Sequence, residues 1–369
     1  MKVLSIVDSF KGTLTSVEIS EIIKEELAKK DIEVVSIPIS DGGEGFLDAY
    51  NFENDYEEVY VDTVDPFMNP IRTYFLYDKE RNLAVVEMAK SSGITLVKNL
   101  DPFKASTYGL GLVMREAIKK GAKEIIMGIG GSCSDDAGVG MLQALGVKFY
   151  DEDNNLFEAY SNIDLPIINR VELDKFKELT GGIRISVCSD VTNPLLGENG
   201  ATYVFAPQKG AKKEDLAILE DNIRHFSELR EGATLAGSGA AGGVGYALRA
   251  YFNSIFYSGI SYLLEKIHYN DLIRDFDYIF TGEGKVDNQS LKGKVISEII
   301  RRSISKRVIL ICGINELDVS LGTNVRVVSV VGNSFTKEES LKNPKETLRT
   351  TIRRLVLWLN ILNYLYLSF

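Results

Sequence analysis

The chain has 369 residues, more than one hydrophobic core usually serves, so its length predicts two domains. Hydrophobic residues make up 45% and charged residues 25%, the balance of an ordinary soluble globular protein. A formal net charge of -10 argues against a nucleic-acid or anionic-membrane surface, and any bound anion must meet a local cluster of cations.

Strand-like runs bounded by turn residues recur in order: KVLSIV, EVVSIPI, EEVYVDT, RTYFLY, LAVVEMA, EIIMGIG, IRISVCS, DYIFTGE, RVILICG and VRVVSVV. Helical patterns lie between most of them, among them Ser16 to Lys29, Thr107 to Lys120, Gly138 to Leu145 and Glu214 to Phe226. Such alternation predicts α/β layers with mostly parallel strands. From Glu57 to Ala89 three strand-like runs follow one another across short turns, which reads as a small antiparallel meander. The first two runs and the last three resemble one doubly wound set. The expected fold is therefore α/β with two domains. Residues 1–75 plus 275–369 are expected to form a Rossmann-like parallel sheet with helices on both faces. Residues 76–274 are expected to form a second α/β domain with a mixed sheet, inserted in the first. The apolar tail LVLWLNILNYLYLSF is too short for a membrane span and reads as a core or interface helix.

Cys133, Cys188 and Cys312 are far apart, odd in number and form no C-x-x-C pair, which argues against a disulfide framework or a zinc site. Asp8 and Lys11 interrupt the first apolar run, so no export signal is read there and a cytoplasmic location is expected. His225 and His268 stand outside every glycine-rich loop. That argues against a Ser-His-Asp or Cys-His nucleophile and leaves the chemistry to carboxylates and lysines.

In DSFKGTLTS, Asp8, Ser9 and Lys11 stand at the carboxyl end of the first strand, the edge where open parallel sheets bind ligands. PISDGGEG puts Asp41 at the end of the second strand, as a turn residue or a site. GIGGSCSDDAGVGM runs from a strand into a helix through small residues, which let a ligand approach the backbone and offer N–H groups to an anion. Ser134, Asp135 and Asp136 serve as helix caps or, since two adjacent acids exceed what a cap needs, as part of a site. CSDVTNPLLGENGA puts Asp190 and Asn193 at another strand end, as proton acceptor and ligand-positioning amide or as an Asx-turn. Gln208 and Lys209 in FAPQKGA read equally well as solvated loop residues. AGSGAAGGVG matches G-x-G-x-x-G at Gly237, Gly239 and Gly242 without a preceding strand or a following acid, poor ground for NAD. TGEGKVDNQSLKGK sets Glu283 and Asp287 beside Lys285 and Lys294, acids for Mg²⁺ and lysines for phosphate.

Together these motifs, with AVVEMAKSSGI and TYGLG, resemble the successive signatures of the bacterial glycerate kinases of glyoxylate and glucarate catabolism, in order from Lys2 to beyond Lys294. The resemblance implies ATP- and Mg²⁺-dependent phosphorylation of D-glycerate, usually to 2-phosphoglycerate and alternatively to 3-phosphoglycerate, in the cleft between the two domains of a monomer or homodimer. It implies catalytic roles for Asp190 and Lys11, and glycerate binding by Ser9, Asp41 and Asn193. Nucleotide contacts fall to Gly128, Gly130, Gly131, Ser132, Ser134, Asp136, Gly282 and Lys294, and metal contacts to Glu283 and Asp287. Where the family commonly reads Gly-Gly-Ser-Ala-Thr-Asn-Asp-Gly-Gly, this chain has Cys133, Ser134, Asp135, Asp136 and Ala137 in the last positions before Gly138. That departure keeps open a non-catalytic nucleotide- or hydroxy-acid-sensing module of the same fold.

Overall fold

The computed structural model describes residues 1–366 except 53, 289, 292–294 and 333. Its strands are, in chain order, β1 (Lys2–Val7), β2 (Glu33–Ser36), β3 (Glu57–Val64), β4 (Pro70–Asp78), β5 (Leu83–Glu87), β6 (Glu124–Gly128) and β7 (Lys148–Tyr150). There follow β8 (Leu156–Phe157), β9 (Arg170–Glu172), β10 (Arg184–Cys188), β11 (Ile255–Tyr257), β12 (Tyr278–Val286), β13 (Arg307–Asn315) and β14 (Val325–Ser329). The chain divides into two compact units, Met1–Asp41 with Ile260–Phe369, and Gly42–Gly259.

The first unit is a parallel sheet of order β14-β13-β12-β1-β2. Both of its faces are covered, which is why its strands are near-continuous apolar runs rather than alternating ones. Ile309 and Ile311 on β13 pack with Ile19, Ile23, Leu348 and Ile352 on one face, whereas Leu310 and Cys312 meet Val286 and Ile296 on the other. Helix Ser16–Ala28 starts where it does because Thr15 and Glu18 form a capping box. The Thr15 hydroxyl accepts the Glu18 N–H at 3.2 Å and the Glu18 carboxylate accepts the Thr15 N–H at 2.9 Å.

Helix Pro344–Tyr366 holds the described part of the apolar tail, expected to be a core or interface helix, and Leu355, Val356 and Leu359 are buried in the same core. Charge ties it to the first helix. The Glu26 side chain, 1% exposed, accepts hydrogen bonds from Lys29 at 2.7 Å, Arg349 at 2.8 Å and Arg353 at 2.9 Å. Burial opposes its ionisation, yet the three cations outweigh burial and hold its carboxyl down to about 2. A carboxyl depressed in the folded state contributes stability that is complete above its unfolded value near 4.5 and is lost as pH falls through 2. Glu26→Gln should therefore cost roughly 1–3 kcal/mol at pH 7 in urea unfolding. The gap from the parent should narrow between pH 5 and pH 2, and an unchanged gap would show that ionisation of Glu26 contributes nothing.

The second unit holds a mixed sheet of order β11-β10-β6-β5-β4-β3. Strands β11, β10, β6 and β5 run parallel, and β3, β4 and β5 form the antiparallel meander expected from Glu57 to Ala89. A small antiparallel sheet, β8-β7-β9, was not anticipated, because strands of two or three residues are too short to show a period. The units meet the chain at 41/42 and 259/260, not at 75/76 and 274/275. The first junction moves because β3 and β4 pair with β5 and so go with the mixed sheet. The second moves because helix Gly259–Lys266 joins helix Val295–Arg302 through Ser261 to Glu298 and Arg302 to Glu265. Among the described residues no helix is long and apolar enough to cross a membrane.

Candidate active site

In the first unit the chain leaves β1 toward β2 on one side, while β12, β13 and β14 extend on the other. The strand order therefore reverses between β1 and β12, and ligands in such sheets bind outside the carboxyl ends at that point. Asp8 follows β1 directly, its N–H donating to the Gly282 carbonyl at 2.9 Å and its carboxylate accepting the Ser9 N–H at 2.7 Å. Asp8 and Ser9 are buried. Burial, and then the charge of Asp41, push the Asp8 carboxyl well above the usual carboxylate range, with Lys11 opposing. Lys11 stands 3.4 Å from the Asp41 carboxylate. Its side chain is 67% exposed, so the strand end presents this ammonium to solvent rather than burying it. The Asp41 charge raises its pKa, which keeps it cationic. Ser9, Lys11, Glu283 and Asp287 all line one cavity of about 390 Å³. Gly282 lies inside β12, where a Cβ would stand 1.8 Å from the Ile311 carbonyl oxygen, so close strand packing accounts for this glycine. Lys294, expected at the nucleotide, lies outside the described residues.

In the second unit, β6 and β10 are neighbours with Gly128 opposite Cys188, so the loops that follow them leave the same sheet edge. Asp190 accepts the Gly259 N–H at 3.1 Å, and the Asn193 side-chain amide donates to the Asn199 carbonyl at 2.8 Å. Glu87 ends β5 on the same edge and was overlooked from sequence. It is buried, accepts the Gly45 and Leu47 N–H groups at 3.2 and 3.0 Å, and so caps helix Phe46–Asn51. Burial raises its pKa. An acid closing the otherwise apolar run LAVVE was the signal available.

The SCSDDAG loop is built differently from the phosphate cradle expected of it. Gly130 and Gly131 together with Ser132 are accessible, but Ser134, Asp135 and Asp136 are wholly buried. Asp136 accepts the Thr107 hydroxyl at 2.6 Å and its N–H at 2.9 Å, with the Gly138 N–H at 3.2 Å, so it joins two helix starts from within. Asp135 accepts the Thr202 hydroxyl at 2.9 Å, and burial lifts its carboxyl to about 6 against the pull of Lys209. Lys209 is not a solvated loop residue: it is 1% exposed and donates to the Ser134 carbonyl at 2.6 Å. Burial lowers its pKa. A Cβ on Gly242 would stand 2.0 Å from that same carbonyl and one on Gly239 2.2 Å from the Pro194 carbonyl, so the G-x-G-x-x-G match serves packing.

Gly128 and Gly130 have a packing role as well. The Gly130 N–H donates to the Gly42 carbonyl at 2.9 Å, and Cβ atoms at Gly128 and Gly130 would stand 2.6 Å from the Gly42 oxygen and the Gly43 Cα. Gly42 itself has φ +94° and leaves a Cβ only 2.4 Å from the Cys188 carbonyl. Gly130→Ala should consequently lose roughly 2–4 kcal/mol of stability by thermal or urea unfolding. Parent-like stability would return Gly130 to a ligand role.

Among the described residues no group of three or more His, Cys, Asp or Glu side chains is gathered as a metal site. Glu283 and Asp287 are two carboxylates in the lining of one cavity, the number that Mg²⁺ arriving on a nucleotide would ask of a protein, since phosphate oxygens and water complete its shell.

Comparison with known proteins gives the family and the fold. The model of the glycerate kinase family matches residues 3–360. A curated relative named glycerate 2-kinase, from Escherichia coli K12, is 34% identical over 305 residues, covering 80% of each chain. A glycerate kinase from Neisseria meningitidis is 33% identical over 362 residues, covering 95% of this chain and 96% of its own. A crystal structure assigned as a glycerate kinase 2 from Salmonella typhimurium LT2 superposes with a TM-score of 0.77 at 31% identity over 99% of both chains.

Proposed function

This chain belongs to the glycerate kinase family, and from that premise we propose that it transfers the γ-phosphoryl group of ATP to a hydroxyl of D-glycerate, giving 2-phosphoglycerate. The observation that carries the reading is the set of Ser9, Lys11, Asp41, Glu283 and Asp287 gathered where the strand order reverses. Phosphoryl transfer asks a protein mainly to position two reactants and to neutralise charge, and acids, lysines and backbone N–H groups supply both.

Each residue then has a definite task. Asp190 orients the attacking hydroxyl and takes its proton. Lys11 neutralises charge on the transferring group or the glycerate carboxylate, while Ser9, Asp41 and Asn193 position the acceptor. Glu283 and Asp287 hold the nucleotide's Mg²⁺, which when bound would neutralise phosphate charge.

The test is ADP release with ATP, Mg²⁺ and D-glycerate, followed by phosphorus NMR of the product. A phosphate on the 2-hydroxyl is split into a doublet by one proton, and one on the 3-hydroxyl into a triplet by two. A doublet is expected. A triplet would reassign the acceptor hydroxyl, and ligand binding without any ADP release would favour a sensing module.

A further inference from the structure

The cavity of the first unit has a lining that glycerate leaves unexplained. It opens at the carboxyl ends of β12, β13 and β14, where Phe10, Ile314, Val330, Val331, Leu341 and Leu348 give it an apolar surface. Lys11, Lys285 and Lys337 add cations to Glu283 and Asp287 in the same lining. At about 390 Å³ it falls among small-molecule sites, which run from about 300 to 1,000 Å³. A three-carbon hydroxy acid has no face with which to cover so much aliphatic surface. A nucleoside triphosphate has both parts the lining asks for, a flat base for the aliphatic side chains and a phosphate chain for the lysines.

Two details point the same way. Leu341, on the short helix Lys337–Lys342, is 57% exposed at the cavity, an apolar side chain that gains by being covered. Lys285 meets Glu316 at 2.8 Å and Asp287 at 3.8 Å, with about half of each lysine and Glu316 side chain in water. Such pairs contribute little and yield readily to a polyphosphate.

We propose that this cavity seats the base and phosphate chain of the phosphoryl donor on residues of the first unit, and that the Gly128–Asp136 loop does not. The proposal rests on the kinase reading given above.

Leu341→Glu and Lys337→Glu in the full chain test it, since both residues are exposed: the first puts a carboxylate where the base would lie, and the second a negative charge against the phosphates. Calorimetric titration with Mg²⁺ and a non-hydrolysable ATP analogue should show Kd raised at least tenfold in each variant. KM for ATP should rise in parallel, with KM for glycerate held within twofold. If the parent phosphorylates glycerate while both variants keep their melting temperature and bind the analogue within twofold of the parent, the cavity proposal falls and the kinase reading stands. A rise in KM for glycerate alone would give the cavity to the acceptor and also overturn the proposal. A parent that neither binds the analogue nor releases ADP removes the kinase reading, and the cavity assignment with it.

Discussion

Asp190→Asn is expected to lower kcat by roughly 10²–10⁴-fold, the usual contribution of a positioned proton acceptor. Asp190 stands at the carboxyl end of β10 and accepts the Gly259 N–H at 3.1 Å through one oxygen. Asparagine can keep that hydrogen bond with its own carbonyl oxygen, so the loop should stay in place while the charge disappears. The fold therefore serves as an internal control, and the melting temperature should move by no more than about 2 °C. A purely structural role predicts the opposite pattern, with lower stability and near-parent turnover in the surviving folded fraction. Turnover within threefold of the parent would remove Asp190 from the mechanism.

Lys11→Met should reduce kcat/KM by about 10²-fold, equivalent to roughly 3 kcal/mol, because a charge-assisted contact to a ligand anion strengthens once water is displaced around it. Stability should barely change. The Lys11–Asp41 pair is 3.4 Å long and two-thirds of the lysine side chain is in solvent, a geometry in which ion pairs contribute about 0–1 kcal/mol. The parent structure thus separates two uses of the lysine. If it merely balances Asp41, then Asp41→Asn should relieve the loss in the double variant. If it holds a ligand anion, the double variant should be no faster than Lys11→Met. A Lys11→Met enzyme with parent-like kcat/KM would leave the anion to backbone N–H groups and other lysines.

The extra acid–lysine chemistry of this family member sits partly out of sight. Asp135, where the family commonly has asparagine, faces Thr202 and Lys209 inside the second unit, not a nucleotide. The altered loop is thus accommodated by a buried counter-charge, and the departure alone gives no reason to expect lost activity.

The sequence by itself determined the α/β class, the parallel first sheet, the antiparallel meander and the positions of Asp8, Ser9, Lys11 and Asp190 just beyond strand ends, whereas Glu283 lies inside β12 and Asp41 five residues past β2. All of these follow from local information. A run such as RVILIC is continuous because both faces of β13 are buried, and the acids and lysines come directly after such runs. What only the tertiary structure decided depends on segments far apart in the chain. Asp136 turned out to be a cap because Thr107 folds onto it, and Lys209 became an interior cation because the Ser134 carbonyl meets it. Gly128 and Gly130 are small because Gly42 and Gly43 lie against them, a contact that no window of neighbouring residues contains. The junctions at 41/42 and 259/260 likewise follow from pairing of β3 and β4 with β5, and of one late helix with another. Period and turn chemistry are written into neighbouring residues, whereas burial and close backbone approach arise only when distant ones are brought together.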